Sequence, residues 1–318
     1  MKDFKAYIVS EENDDYSGNI LEQSFVELKE GEVRIEVKFS SLNFKDALSN
    51  AGNKGVTRNY PHTPGIDAAG IIRDSKSEKF AIGQEVIVTG YDLGMNTAGG
   101  FGEFIQVPGD WVVTLPETLS LKESMAWGTA GLTAALCVEP IAAKIKEGRV
   151  LVSGATGGVG SIAIQLLSKL GYDVIALTRK ESSKPFLESI GAKQVILMNE
   201  FLDESKRPML KPSFEAAIDV AGGATLTSIL KQVNYQGVVS CCGLVDRPDF
   251  QTSIFPFILR GVTLAGIDSV ELPLESKESV WNKIANDWNI QDLMAKCQTI
   301  GKEDLSKALQ KILKGEAV

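Results

Sequence analysis

Apolar and polar residues alternate over short spans early in the chain, at 34–39, 85–88 and 104–107, with glycine and proline turns between them. A period of two marks half-buried strands, so the first 120 or so residues predict an all-β or barrel-like module. From about residue 124 the pattern changes to helix and strand in turn. A helix is predicted over 131–138, a strand over 150–153, a helix over 161–170 and a strand over 174–177. Further strands follow at 194–198, 216–220 and 238–242, each preceded by a helical stretch. That alternation predicts a parallel sheet covered by helices. Beyond residue 255 a β-like run at 262–267 precedes two helical stretches, the second with Leu305, Ala308, Leu309 and Ile312 on one face. No internal repeat or low-complexity linker interrupts the chain.

The most specific signal lies between the strand at 150–153 and the next helix, in Ser153-Gly154-Ala155-Thr156-Gly157-Gly158-Val159-Gly160. In a dinucleotide-binding turn, one glycine brings the backbone close to a pyrophosphate and another lets the helix lie close to the strand; Gly157 and Gly160 suit these tasks. The helix N-terminus then offers free N–H groups and the positive end of its dipole to the phosphates. Ala155 stands where the common GxGxxG pattern has glycine, which leaves a glycine turn of some other α/β fold as the alternative. Ile162, Ala163, Leu166, Leu167 and Leu170 support the first reading, since they form an apolar stripe at helical spacing.

The end of the following strand chooses the coenzyme. An NAD site places Asp or Glu there to accept from the ribose 2′-hydroxyl, whereas this chain has Thr178-Arg179-Lys180, then Ser182, Ser183 and Lys184. Cations and hydroxyls suit a 2′-phosphate, so NADPH is the expected cofactor. The alternative is that Arg179 and Lys180 only solvate a loop.

At 318 residues, two domains are expected. A net charge of -8 argues against nucleic acid or an anionic membrane as the main partner. There is no run of about 18 apolar residues, and Met1-Lys2-Asp3-Phe4-Lys5 leads into polar sequence, so a soluble cytoplasmic protein without a signal peptide is expected. Cys137, Cys241, Cys242 and Cys297 form no CxxC pair and read as reduced thiols; with His62 the sole histidine, a Cys–His nucleophile has little to draw on.

Taken together these features resemble the medium-chain dehydrogenase/reductase superfamily over essentially the whole chain. Its fold is α/β, a GroES-like β-rich catalytic domain interrupted in sequence by a Rossmann domain with a doubly wound parallel sheet. The resemblance divides this chain into 1–123 with 262–318, and 124–261. Ser41-Leu42-Asn43-Phe44-Lys45-Asp46, residues 64–70, Gly109-Asp110-Trp111, Gly128-Thr129-Ala130-Gly131 and residues 256–262 are similar to the zinc-independent quinone oxidoreductase branch. With Gly266-Ile267-Asp268-Ser269-Val270, they point to its acryloyl-CoA reductase-like subgroup.

Zinc alcohol dehydrogenases of this fold carry Gly-His-Glu where this chain has Gly65-Ile66-Asp67, and a lobe with four closely spaced cysteines. One histidine and four scattered cysteines supply neither set, so no metal is expected and His62 reads as a loop residue. The reaction this leaves is reduction of a double bond conjugated to a carbonyl. Hydride goes to the β-carbon, negative charge collects on the carbonyl oxygen, and a proton goes to the α-carbon. The resemblance places Asn43 and Asp67 as polar residues at the cleft and Phe44 as an apolar wall beside the nicotinamide. Relatives often have tyrosine at Phe44, and water, Asn43 or a cofactor hydroxyl stay open as the proton source. By their residue types alone, Asn43 could be a turn residue, Asp67 a cap, and Lys45 and Asp46 an exposed pair.

For the coenzyme, the resemblance implies Thr156, Gly157, Gly158 and Val159 at the pyrophosphate, Thr178, Arg179 and Lys180 at the 2′-phosphate, and Leu244, Ile258 and Ser269 near the nicotinamide. Thr129 could equally cap a helix or touch substrate. The substrate expected is a short-chain enoyl-CoA such as acryloyl-CoA, with Lys54, Arg58 and Arg260 as candidate partners of its phosphates. A quinone is the alternative, and a non-catalytic NADPH-binding protein the third reading. The resemblance also implies a homodimer through an edge strand at 262–267 and a closing Gly-Arg-led strand, where this chain has Gly315-Glu316-Ala317-Val318.

Overall fold

In the first unit, the strand-forming runs pair into a five-stranded antiparallel sheet in the order β6-β3-β4-β5-β7. The structure is a computed structural model that describes residues 3–316, so the expectations on Met1, Lys2, Ala317 and Val318 lie outside it. The unit opens with the antiparallel hairpin β1 (Phe4–Glu12) and β2 (Asp15–Gln23). β3 (Glu32–Phe39), helix α1 (Phe44–Asn50), β4 (Asp67–Ser75), β5 (Glu85–Thr89), β6 (Phe104–Pro108) and β7 (Val112–Thr114) follow. Val33 and Ile35, Ala68 and Ile72, Val86 and Val88, and Ile105 and Val107 all share the parity that points to one face, and they form its buried core.

Helix α2 (Leu121–Lys144) is two helical segments that meet at Gly128, whose backbone (φ 50°, ψ -158°) is not helical. Just beyond, the chain enters the second unit, Ala130–Asp268, and from Ser269 it belongs to the first unit again. The second unit contains β8 (Arg149–Val152), α3 (Gly158–Lys169), β9 (Asp173–Thr178), α4 (Lys184–Ser189), β10 (Gln194–Leu197) and α5 (Met198–Phe201). β11 (Phe214–Asp219), α6 (Gly223–Gln232), β12 (Val233–Cys241), α7 (Phe255–Arg260) and β13 (Thr263–Gly266) complete it. All its strands pair in parallel, in the order β10-β9-β8-β11-β12-β13. In chain order that is 3-2-1-4-5-6, the doubly wound arrangement whose order reverses between β8 and β11.

Two local expectations change. The run at 262–267 forms β13 (Thr263–Gly266) in the parallel sheet, so the second unit extends to Asp268, beyond the expected boundary at 261/262. The helix expected before β11 shrinks to the four residues of α5, because Pro208 and Pro212 and the charges between 203 and 211 do not continue a helix. In the first unit the chain ends with α8 (Leu274–Ala285) and α9 (Leu305–Leu313); Leu305 and Leu309 of α9 pack with Ala47 of α1 and with Tyr7 and Val9 of β1.

Candidate active site

Ligands in open α/β sheets bind outside the carboxyl ends of the strands, where the strand order reverses. The glycine turn lies there, between β8 and α3. Gly154 adopts φ 58°, and a Cβ on Gly160 would overlap the Gly154 carbonyl oxygen, so the close approach of α3 to the turn depends on glycine at 160. Ala155, 1% exposed, points into the unit, which explains why a small side chain is accepted there. Gly157 differs. A Cβ there would meet only the Gly154 oxygen at 3.4 Å, so the fold does not require this glycine and it leaves bare backbone in front of the helix. Gly157 is the N-cap residue, and the first N–H groups of α3, from Gly158 onward, have no helical acceptor. This cradle fits a dinucleotide pyrophosphate.

At the end of β9, Thr178 is buried and its Oγ1 accepts from the Lys180 N–H at 3.2 Å, while Arg179 and Lys180 are exposed. Thr178 therefore shapes the turn and the two cations face solvent. Leu244 (65% exposed) and Ile258 (63%) present apolar surface after β12 and on α7. Ser269 is buried and begins the return to the first unit.

Sequence reasoning missed a second brace of this unit. Asp219, at the end of β11 and fully buried, accepts from Ser153 Oγ at 2.7 Å and from the Gly222 N–H at 2.8 Å. Ser153 Oγ in turn accepts from the Val220 N–H at 2.9 Å. The carboxylate thus joins the turn after β8 to the turn after β11, and burial pushes its pKa up. Its signal is the charged residue closing the apolar run 216–218.

In the first unit, Asn43, Asp67, Ser41 and Thr129 form one hydrogen-bonded cluster. Asp67 opens β4 with no exposed surface. Its Oδ2 accepts from Ser41 Oγ, from Asn43 Nδ2 at 2.9 Å and from the Thr129 N–H at 2.8 Å; its Oδ1 accepts from Thr129 Oγ1 at 2.5 Å. Gly128 permits this approach, because a Cβ there would stand 2.5 Å from Ser41 Oγ and 2.8 Å from Asp67 Oδ2. Asp67 caps the helical segment after Gly128 and orients Asn43 and Thr129, which are half-buried. The second contact of Asn43 Nδ2, with Ser41 Oγ, is 3.3 Å long. Phe44 is the first residue of α1 and 52% exposed.

Beneath this cluster lies Asp46. The structure overturns its reading as half of an exposed pair: Asp46 has no exposed surface and Lys45 is half-buried. Asp46 Oδ1 accepts from the N–H groups of Gly65 (3.1 Å) and Ile66 (2.9 Å), and Oδ2 from the Asn43 N–H at 2.8 Å. It binds the residue that opens α1 to the two that precede Asp67. Burial, and then the charge of Asp67, push its pKa up to about 7. The Asn43-to-Asp46 spacing, an N-cap followed three residues later by an acid, was the signal.

Two of the candidate phosphate partners are engaged elsewhere. Arg260 donates to the carbonyls of Lys231 (2.9 Å) and Val233 (3.0 Å), a structural role that corrects its reading as a substrate contact. Lys54 pairs with Glu11 at 2.6 Å and stands over the rings of Tyr16 and Tyr60. Arg58 is exposed. His62 is buried, its backbone pairs with Val9, and burial lowers its pKa. Burial pushes the Cys241 thiol up to about 11, so it is protonated at neutral pH. Among the described residues, no three His, Cys, Asp or Glu side chains are grouped to hold a metal.

The chain matches the alcohol dehydrogenase GroES-like domain family over residues 29–117 and the zinc-binding dehydrogenase family over residues 158–286. It is 40% identical over 314 residues to the putative quinone oxidoreductase YhfP of Bacillus subtilis, covering 98% of this chain and 95% of that one. It is 44% identical over 263 residues to the probable acrylyl-CoA reductase AcuI of Escherichia coli, covering 82% and 81%. The chain belongs to the medium-chain dehydrogenase/reductase superfamily. Within that superfamily it falls in the acryloyl-CoA reductase-like subgroup. The structure of the YhdH oxidoreductase from Salmonella enterica in complex with NADP matches with a TM-score of 0.94 and 38% identity, over 98% of this chain and 97% of that one. That of Bacillus subtilis YhfP with NAD bound matches with a TM-score of 0.95 and 39% identity, over 100% and 98%. Superfamily membership makes the α/β two-unit fold the expected one.

Proposed function

We propose that this reductase transfers hydride from NADPH to the activated double bond of a short-chain enoyl-CoA such as acryloyl-CoA, without a metal. The coenzyme supplies the hydride when bound. The chain's own residues do the rest: Thr156, Gly157, Gly158 and Val159 hold the pyrophosphate against the N-terminus of α3, and Arg179 and Lys180, with Thr178 shaping their turn, bind the 2′-phosphate. Leu244, Ile258 and Ser269 complete the coenzyme contacts, and Phe44 is an apolar wall for nicotinamide and substrate. Asn43 donates to the oxygen on which charge develops, and Asp67 holds it in place.

The observation that carries this reading is the Asp67 cluster, in which a buried carboxylate with four donors fixes a neutral amide whose Nδ2 reaches its second acceptor, Ser41 Oγ, at 3.3 Å. A neutral, preorganised donor suits reduction of a conjugated thioester, and the relatives named acrylyl-CoA reductase support that substrate class. Quinone reduction is the second reading, favoured by the exposed Phe44 ring and by the relative named as a quinone oxidoreductase. A non-catalytic role finds no support among relatives named as oxidoreductases. NADPH consumption measured with acryloyl-CoA, with a quinone and with no acceptor tests these readings; turnover with quinone alone contradicts the thioester assignment.

We further propose a cytoplasmic homodimer that joins through β13. This strand lies at the edge of its sheet among the described residues, and α7 just before it exposes Ile258 and Leu259 (56%). No helix is long and apolar enough to cross a membrane among the described residues. No role for nucleic acid is proposed, given the acidic composition. The molar mass in solution tests the dimer.

A further inference from the structure

Lys277 is a charged residue with no exposed surface, on the first turns of α8. A buried ammonium is costly unless its donors are used. Its Nζ donates to the Thr89 carbonyl at 2.7 Å, reaches the Val270 carbonyl at 3.5 Å, and stands 3.5 Å from the centroid of the Tyr91 ring. The two carbonyl partners each lead to a residue of the proposed site. Thr89 is the cross-strand partner of Asp67 in the β4–β5 pairing. Val270 follows Ser269, and its carbonyl also accepts from the Tyr91 N–H at 3.0 Å. The Tyr91 hydroxyl donates to the Leu272 carbonyl at 3.1 Å, and its ring stacks on Trp111. One cation therefore ties the end of β5 to the segment on which the chain re-enters the first unit.

We propose that Lys277 is a positioning residue for the reductase reaction: its ammonium fixes the Thr89 and Val270 carbonyls, and through them Asp67 and Ser269. The proposal rests on the assignment of Asp67 and Ser269 made above. It differs from a role in stability alone. Methionine at 277 leaves the Thr89 and Val270 carbonyls without this donor and costs stability, but a purely structural lysine exchanged for methionine leaves the kinetics of the folded enzyme unchanged.

The test compares wild type with Lys277→Met and Lys277→Arg by thermal unfolding, NADPH titration and steady-state turnover. A folded Lys277→Met enzyme is expected to lose roughly 10- to 100-fold in kcat with little change in KM for the acceptor, as displaced catalytic groups do. Its NADPH dissociation constant should rise, and Lys277→Arg, which keeps the charge over the ring, should recover most of both losses. A folded Lys277→Met enzyme with wild-type kcat and NADPH affinity overturns the proposal. Should that variant fail to fold, Lys277→Gln decides, because it stays polar but is too short to keep its donor at both carbonyls: reduced kcat in the folded variant supports the proposal and unchanged kcat overturns it. If wild type reduces neither acryloyl-CoA nor a quinone, the substrate reading fails by itself. NADPH affinity then judges Lys277, with equal dissociation constants in wild type and Lys277→Met overturning its role.

Discussion

Asn43 joins Asp46 to Asp67: its backbone N–H donates to Asp46 at 2.8 Å and its side-chain amide to Asp67 at 2.9 Å. Both carboxyl groups are fully buried, so the orientation of one half-buried amide is held by two acids that solvent does not reach. Removing the amide while leaving the acids in place isolates its contribution. Asn43→Ala should lower kcat by roughly 100- to 1,000-fold, the usual cost of losing one donor to a developing oxyanion. NADPH affinity should be nearly unchanged, since Asn43 is assigned to the substrate oxygen and not to the coenzyme. Single-turnover rates and a fluorescence titration of NADPH check the two halves.

The raised pKa of Asp46 has a defined consequence for stability. An ordinary aspartate titrates near 4 in the unfolded chain, and in the folded protein this one titrates at about 7. Between those values the folded state binds more protons than the unfolded one, so Asp46 makes stability fall as pH rises from about 4 to 7. His62, held below its usual value by burial, acts in the opposite sense, as its protonation on unfolding costs stability when pH falls. Denaturation midpoints across this range should show the Asp46 slope in wild type and lose it in Asp46→Asn, while the His62 term cancels in the comparison.

Gly157 and Gly160 should separate binding from folding. A Cβ at 160 overlaps the Gly154 carbonyl, so Gly160→Ala should destabilise the protein by about 1–3 kcal/mol, as overpacking does. A Cβ at 157 meets one atom at 3.4 Å. Gly157→Ala should unfold at nearly the wild-type temperature and bind NADPH more weakly. Loss of stability in Gly157→Ala with unchanged affinity would contradict the assignment of this turn.

Coenzyme choice is assigned to the exposed end of β9. Arg179→Asp removes a cation and adds a charge that repels a 2′-phosphate, so kcat/KM should move toward NADH by on the order of 10- to 100-fold, the worth of a charge-assisted hydrogen bond. An unchanged ratio of NADPH to NADH efficiency would show that the pair Arg179 and Lys180 only solvates the loop.

Local pattern carried much of this structure. The strand, glycine turn and helix from 149 to 169 announce themselves through period, glycine placement and the apolar stripe on α3, and the cations Arg179 and Lys180 at the end of β9 are visible in the chain itself. What local pattern lacks is the identity of the neighbour. The run at 262–267 reads as a strand, but only pairing with β12 places it in the parallel sheet. Arg260 and Lys54 look like partners for a substrate's phosphates until the carbonyls of Lys231 and Val233, or Glu11 and two tyrosine rings, are seen around them. Asp46 looks like an exposed partner of Lys45 for the same reason, since its acceptors are used by N–H groups about twenty residues away.

The central claim is hydride transfer to the β-carbon of an enoyl thioester. Incubation of the protein with acryloyl-CoA and NADPH carrying deuterium at nicotinamide C4, followed by mass spectrometry and NMR of the product, tests it directly. Propionyl-CoA with the deuterium on its β-carbon is the predicted result. Acryloyl-CoA left unreduced under conditions where the same protein oxidises NADPH with a quinone would contradict the claim.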